Sequence, residues 1–109
     1  MPRTAVPVTQ ITRAGVAAPT ETTGDPTNNH TIPNNGKMLL LVRNSGSTVA
    51  RTVTLRLPGL TDGQAITPRT VSVAQSTSRY IGPFPTGDYG SNLLVDVDNA
   101  ELKLLAFAI

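Results

Sequence analysis

Residues 50–57 (ARTVTLRL) alternate strictly, placing Val53, Leu55 and Leu57 on one side and Thr52, Thr54 and Arg56 on the other, and the same period of two returns in short segments down the chain. This period marks a strand with one buried face. A helix would need apolar residues at i, i+3, i+4 and i+7, which no segment sustains over three turns, and the abundance of β-branched Thr and Val works against one. The chain is therefore expected to be all-β, without a helix of consequence.

Turn residues divide the strands. Residues 37–43 (KMLLLVR) form a short, nearly all-apolar run between Gly36 and Asn44-Ser45-Gly46-Ser47, as expected for a central strand covered on both faces. Together with residues 50–57, which end at Pro58-Gly59, it reads as an antiparallel hairpin. Asp62-Gly63 marks a turn, residues 70–73 and 79–81 resume the alternation, and Gly82-Pro83-Phe84-Pro85 ends it. Residues 86–92 read as a loop, and 93–98 and 102–109 as two strands around Asn99-Ala100. About seven strands at this spacing, in 109 residues, predict a single small antiparallel β-sandwich, Ig-like or jelly-roll-like, over residues 36–109. Aromatic residues make up only 4% of the chain, so its core must come from Val, Leu, Ile and Ala.

Residues 1–35 differ in character, being rich in Thr, Pro, Asn, Gly and Ala with few apolar anchors, and are expected to form an extended N-terminal arm and loop. Val6, Val8 and residues 10–12 could add one edge strand, since Pro2 and Pro7 lack ladder donors and suit an edge. The opening residues carry no apolar core of signal-peptide length, and the expectation is a soluble protein made in the cytoplasm, with no membrane partner.

Chemistry-bearing residues are sparse. With no cysteine there are neither disulfides nor thiolate metal sites, and the lone histidine, His30, lies in Asn28-Asn29-His30-Thr31 with no nucleophile and acid at a signature spacing. It reads as a solvated loop residue that alanine could replace without harm. Asp88, Gly90, Asn92, Asp96 and Asp98 suggest an oxygen-rich calcium loop but do not complete an EF-hand, so no metal and no cofactor is expected. Tyr80, Phe84 and Tyr89 could make an aromatic platform for a sugar ring, against the plainer reading that they pack the 82–85 loop. Arg43, Arg51, Arg56, Arg69 and Arg79 could form a basic stripe, although cross-strand pairing with acids is the commoner outcome. Nine basic and seven acidic residues spread along the chain, for a net charge of +2, do not point to nucleic acid. No catalytic residue is expected, and the chain is not read as an enzyme.

The last strand is the most suggestive. Leu102, Leu104, Ala106 and Ala108 form one face and Lys103, Leu105, Phe107 and Ile109 the other, so apolar character covers both sides. It is either central in the monomer or presents Leu105, Phe107 and Ile109 to another chain.

Taken together, Pro33-Asn34-Asn35-Gly36-Lys37, Leu41-Val42-Arg43-Asn44, Thr52-Val53-Thr54-Leu55, Pro58-Gly59, Asp62-Gly63, Arg69-Thr70-Val71-Ser72-Val73, Arg79-Tyr80-Ile81-Gly82-Pro83-Phe84-Pro85 and Val95-Asp96 resemble a family of small head-associated virion proteins of tailed bacteriophages. The likeness covers approximately residues 20–109, and RYIGPFP and NNGK…LLVRN are its most distinctive blocks. It implies a capsid decoration or minor capsid protein on the virion surface, with the phage major capsid protein as the expected partner and a second copy of itself, in a homo-oligomer, as the further one. Partner contacts are then expected from the arm and the last strand, through Val6, Val8, Ile11, Val16, Leu105, Phe107 and Ile109. The alternative is a head-fibre or tail module that binds a host surface glycan.

Overall fold

The computed structural model describes residues 3–108. Its strands are β1 (Thr4–Ala5), β2 (Val8–Gln10), β3 (Thr22–Thr23), β4 (His30–Pro33), β5 (Met38–Asn44), β6 (Arg51–Arg56), β7 (Leu60–Thr61), β8 (Gln64–Ala65), β9 (Arg69–Val73), β10 (Ser78–Ile81), β11 (Asn92–Val97) and β12 (Leu102–Ala108). One helical turn, α1 (Thr86–Tyr89), lies between β10 and β11, within the segment expected to be loop.

Two sheets stack into a sandwich. The first has the order β1-β4-β11-β6-β9 and the second β10-β5-β12-β2, with β3 also on β12; β7 and β8 form a separate small ribbon. Most ladders are antiparallel, but β1 runs parallel to β4 and β2 parallel to β12, so both sheets are mixed. Alternation sets the core: Ile32, Val53, Leu55, Val73, Leu93 and Val95 point inward from the first sheet, and Met38, Leu40, Val42, Leu102, Leu104 and Ala106 from the second. All are essentially solvent-free, and burying a Val, Leu, Ile or Met side chain contributes about 1.5–3 kcal/mol.

The expected hairpin of residues 37–43 with 50–57 does not form. β5 pairs with β10 and β12, whereas β6 pairs with β11 and β9, so the two lie in opposite sheets. Their apolar faces meet across the core instead of lining one sheet face. Alternation specifies which side of a strand is buried, not whether its neighbour lies beside it or above it. Asn44 makes the crossing possible. Its buried amide donates to the carbonyls of Val49 and Val73, both at 3.0 Å, and accepts the Gly46 N–H at 2.9 Å, satisfying the backbone as the chain leaves one sheet for the other.

The arm also differs from expectation. Residues 3–35 supply strands to both sheets, β1 and β4 to the first and β2 and β3 to the second. The change of sheet falls at Val6-Pro7: the Val6 N–H donates to the Thr31 carbonyl at 3.1 Å, and its side chain, 1% exposed, fills the gap between the sheets. Few apolar anchors suffice because the core they join is built by the later strands, with Val6 and Ile32 fully inside it. Only residues 11–20 stay largely at the surface, with Ile11 and Val16 exposed.

His30 is buried in β4, contrary to the expectation of a solvated loop. Its Nε2 accepts the Asp25 N–H at 2.9 Å, so in the neutral ring Nδ1 carries the proton and donates to the Thr4 carbonyl at 3.2 Å. The ring thus fastens β1 and the 25–29 turn to β4. Burial pushes its pKa below the ordinary 6.5, outweighing the Thr4 hydrogen bond and the Asp25 charge that favour the cation, while Arg3 adds to the depression. A proton on Nε2 would also face the Asp25 N–H. The unfolded chain therefore takes up this proton at higher pH than the folded one, so stability is complete above 6.5 and falls as pH drops below it. His30→Ala should cost about 2–3 kcal/mol in denaturant unfolding at neutral pH, by stranding two backbone groups and opening a cavity, and should flatten this part of the pH profile.

Candidate contact surface

The two outward faces of the sandwich are unlike. On the first sheet, Thr31, Thr52, Thr54, Thr70 and Ser72 face solvent around an ion-pair cluster. There Asp96 takes Arg3 Nη1 on Oδ1 and Arg56 Nε on Oδ2, both at 2.6 Å. Partial burial alone would raise the Asp96 pKa, but the hydrogen bonds and charges of the two arginines prevail and hold it below the ordinary carboxylate value. Arg3 also donates to the His30 carbonyl at 3.1 Å, so this pair helps hold the N-terminal strand. This face is built for water.

The outward face of the second sheet is apolar over three adjacent strands. Register places Leu105 opposite Leu41 and Phe107 opposite Leu39, and sets Tyr80 beside Leu41 from the other flank. These outward positions follow from alternation, since Met38, Leu40, Val42, Leu102, Leu104 and Ala106 fill the core. Leu39, Leu41, Leu105 and Phe107 are half-buried by one another, while Tyr80 is 74% exposed. A shallow depression of about 320 Å³, lined by Gly36, Lys37, Leu39, Gly82 and Pro83, continues the patch. At its far end Arg43 grips Glu21 through two hydrogen bonds of 2.6 and 2.8 Å, with Lys103 opposite Arg43 in the ladder. The Arg43 hydrogen bond chiefly lowers the Glu21 pKa, opposed by partial burial and assisted by the Arg43 and Lys103 charges. A sheet face with leucines and a phenylalanine at its centre and charges at its rim has the composition common at protein–protein contacts.

The residues expected to meet a partner divide accordingly. Leu105 and Phe107 lie in this patch, and β12 is at once central in its sheet and apolar on its outer side. Val6 belongs to the core, and the half-buried Val8 packs against it from β2. Ile11 and Val16, 40% and 42% exposed, sit outside the sheet; Ile109 lies outside the described residues. Deleting residues 1–19 would remove β1, β2 and Val6, and so would test folding more than docking. Leu39, Leu41 and Tyr80, which complete the patch, were not among the expected residues. The signal was the uninterrupted LLLV of β5, whose outward half becomes a surface only once β12 and β10 are known to flank it.

The other candidate chemistries are placed elsewhere. Phe84 and Tyr89 are buried and pack edge to face with centroids 5.2 Å apart, leaving Tyr80 alone at the surface, so no platform of three aromatic rings exists. The two distinctive sequence blocks prove to be one structural unit. Asn34 donates to the carbonyls of Phe84 and Gly90 at 2.9 and 3.0 Å and accepts the Gly36 N–H at 3.0 Å. Gly82, at φ 140°, brings its Cα so close to β5 that a Cβ would stand 2.9 Å from the Met38 carbonyl oxygen. Of the five arginines of the supposed stripe, Arg43, Arg51 and Arg56 are paired with Glu21, Glu101 and Asp96. Asp98 accepts the Thr52 N–H at 3.0 Å, and among the described residues no three of His, Cys, Asp or Glu gather as a metal site. No described helix is long and apolar enough to cross a membrane. Comparison with family models, with curated proteins and with solved structures gave no match.

If the patch is contact surface, its residues should be dispensable to the monomer. Leu105→Ser with Phe107→Ser should lower unfolding free energy by only about 1 kcal/mol, against about 2–5 kcal/mol for Leu104→Ala on the opposite side of the same strand. Denaturant titration of the two variants beside the parent decides it.

Proposed function

We propose that this chain is a non-enzymatic structural protein of a tailed-bacteriophage particle, docking on the outside of the capsid and reinforcing contacts between major capsid subunits. The observation that carries this reading is the apolar outer face of the second sheet, formed by Leu39, Leu41, Leu105 and Phe107. Water-facing sheets ordinarily alternate apolar inside with polar outside, as the first sheet here does. Apolar area withdrawn from water on docking contributes roughly 25 cal/mol per Å² before the cost of association, so such a face favours a lasting contact over a passing one. The resemblance of the NNGK…LLVRN and RYIGPFP blocks to head-associated virion proteins supplies the partner class. Both blocks flank the patch: Leu39 and Leu41 belong to the first, and Tyr80 with the Gly82-Pro83 rim to the second.

A cement role also suits a small sandwich whose loops are fastened down, since repeated copies on a shell each need the same rigid shape. The glycan-binding alternative needed Tyr80, Phe84 and Tyr89 exposed together, and two of the three rings are in the core. Tagged chain added to purified capsids should co-sediment with them and appear at regular surface positions in images of the particle. Leu105→Ser with Phe107→Ser, still folded, should lose this association. Undiminished association of that variant, or retention of the chain on cell-wall polysaccharide in place of capsids, would refute the proposal.

A further inference from the structure

The sandwich has two flanks where the chain passes from one sheet to the other, and they are closed differently. On one, β1 leads into β2 and Val6 plugs the gap. On the other, β9 leads into β10 through Ala74, Gln75, Ser76 and Thr77, all exposed, and both strands are sheet edges. Side chains that face the gap there are Arg69 and Val71 from β9, opposite Leu55 and Val53, and Arg79 and Ile81 from β10, opposite Val42 and Leu40. Neither arginine forms an ion pair among the described residues; the acid placed at this gap is Asp88, which lines a hollow with Arg69 and Ile81 at one end of it, away from Arg79. A groove of about 510 Å³, lined by Ala74, Thr77, Ser78, Arg79 and Tyr80, runs along the β10 edge.

The backbone of β10 is also ready for a further strand. The Asn44 N–H donates to the Thr77 carbonyl at 2.9 Å, and antiparallel alternation then turns the peptide groups of Arg79 and Ile81 toward β5 and those of Ser78 and Tyr80 outward. Edge strands with free N–H and C=O groups accept extended chains by strand addition, with alternate side chains giving specificity.

We infer that the β10 edge binds an extended segment of another protein as an added strand, one carrying carboxylates at the alternate positions that enter the gap beside Arg79 and Arg69 and apolar residues at the positions between them, on the side of Tyr80. Charge decides against a second copy of this chain. Pairing β10 with β10 would bring together two strands that each carry Arg79 and no acid, whereas an acidic segment neutralises that charge. This goes beyond the capsid reading, because the edge and its charges are properties of the isolated chain whichever assembly it joins.

The test uses the full chain and two short blocked peptides, one alternating valine with glutamate and one alternating valine with lysine, followed by amide hydrogen exchange and chemical shifts. Binding of the glutamate peptide should slow exchange at the Ser78 and Tyr80 amides, and the lysine peptide should bind at least about tenfold more weakly. Arg79→Glu, at an exposed position, should reverse that order. Absence of glutamate-peptide binding, equal binding of both peptides, an order unchanged by Arg79→Glu, or protection centred away from β10 overturns the inference. So does slowed exchange at Ser78 and Tyr80 that grows with protein concentration alone, since a second copy would then be the occupant.

Discussion

A thin sandwich must lead its chain back and forth between two sheets without stranding backbone groups in the core, and three buried polar side chains meet that demand here. His30, Asn34 and Asn44 are the buried polar residues among those described, and each sits where the chain enters or leaves a sheet. An unpaired buried peptide group costs about 1–3 kcal/mol, so loops pressed against a core need partners at fixed positions. An amide supplies both donors and acceptors, which is why Asn34 and Asn44 each serve three backbone groups. Neutral imidazole supplies one donor and one acceptor, which matches the Thr4 carbonyl and Asp25 N–H that His30 serves. Substituting hydrophobes at these positions would fill the volume and leave the loops unbound.

Once those crossings are fastened, the outer faces are free to differ. Thr residues and the Arg3–Asp96–Arg56 cluster equip the first sheet for water. The second carries Leu39, Leu41, Leu105 and Phe107 outward without losing register, because the inward side chains of the same strands are locked in the core. A strand interior to its sheet can afford an apolar outer side, since its peptide groups are already paired and cannot recruit another chain by their edges. β5 and β12 are such interior strands. At the edge strands β9 and β10, Arg69 and Arg79 take positions that face the gap between the sheets.

Much of the fold was legible in the sequence and its pairing was not, for a reason that individual residues make plain. Val53, Leu55 and Leu57 announce a one-sided strand, and the LLLV of residues 39–42 a two-sided one, because burial acts residue by residue along a strand. That β5 and β6 face each other across the core depends on Asn44 finding the Val73 carbonyl, a contact 29 positions away that no local pattern encodes. His30 was misread for the same cause: Asn28-Asn29-His30 is turn-like in composition, and only the return of β1 beside β4 buries the ring. The apolar outer face was half visible, in Leu105 and Phe107. Its other half required knowing that β5 lies beside β12.

The scarcity of large side chains connects these features. With two phenylalanines, two tyrosines and no tryptophan, the inward faces rely on small aliphatic residues, and Phe84 and Tyr89 are spent at one end holding the 82–90 segment. A core of that kind gives a serviceable but modest margin, in which conformational entropy nearly cancels burial. Placing Phe107 and three leucines outside such a small core would weaken a protein that worked alone, since those groups gain little until something covers them. The same arrangement is favourable for one that works covered, because the partner then supplies the second half of a hydrophobic layer and stabilises the folded chain by mass action. On the proposed reading, the apolar exterior is then part of the folding energy of an assembled state.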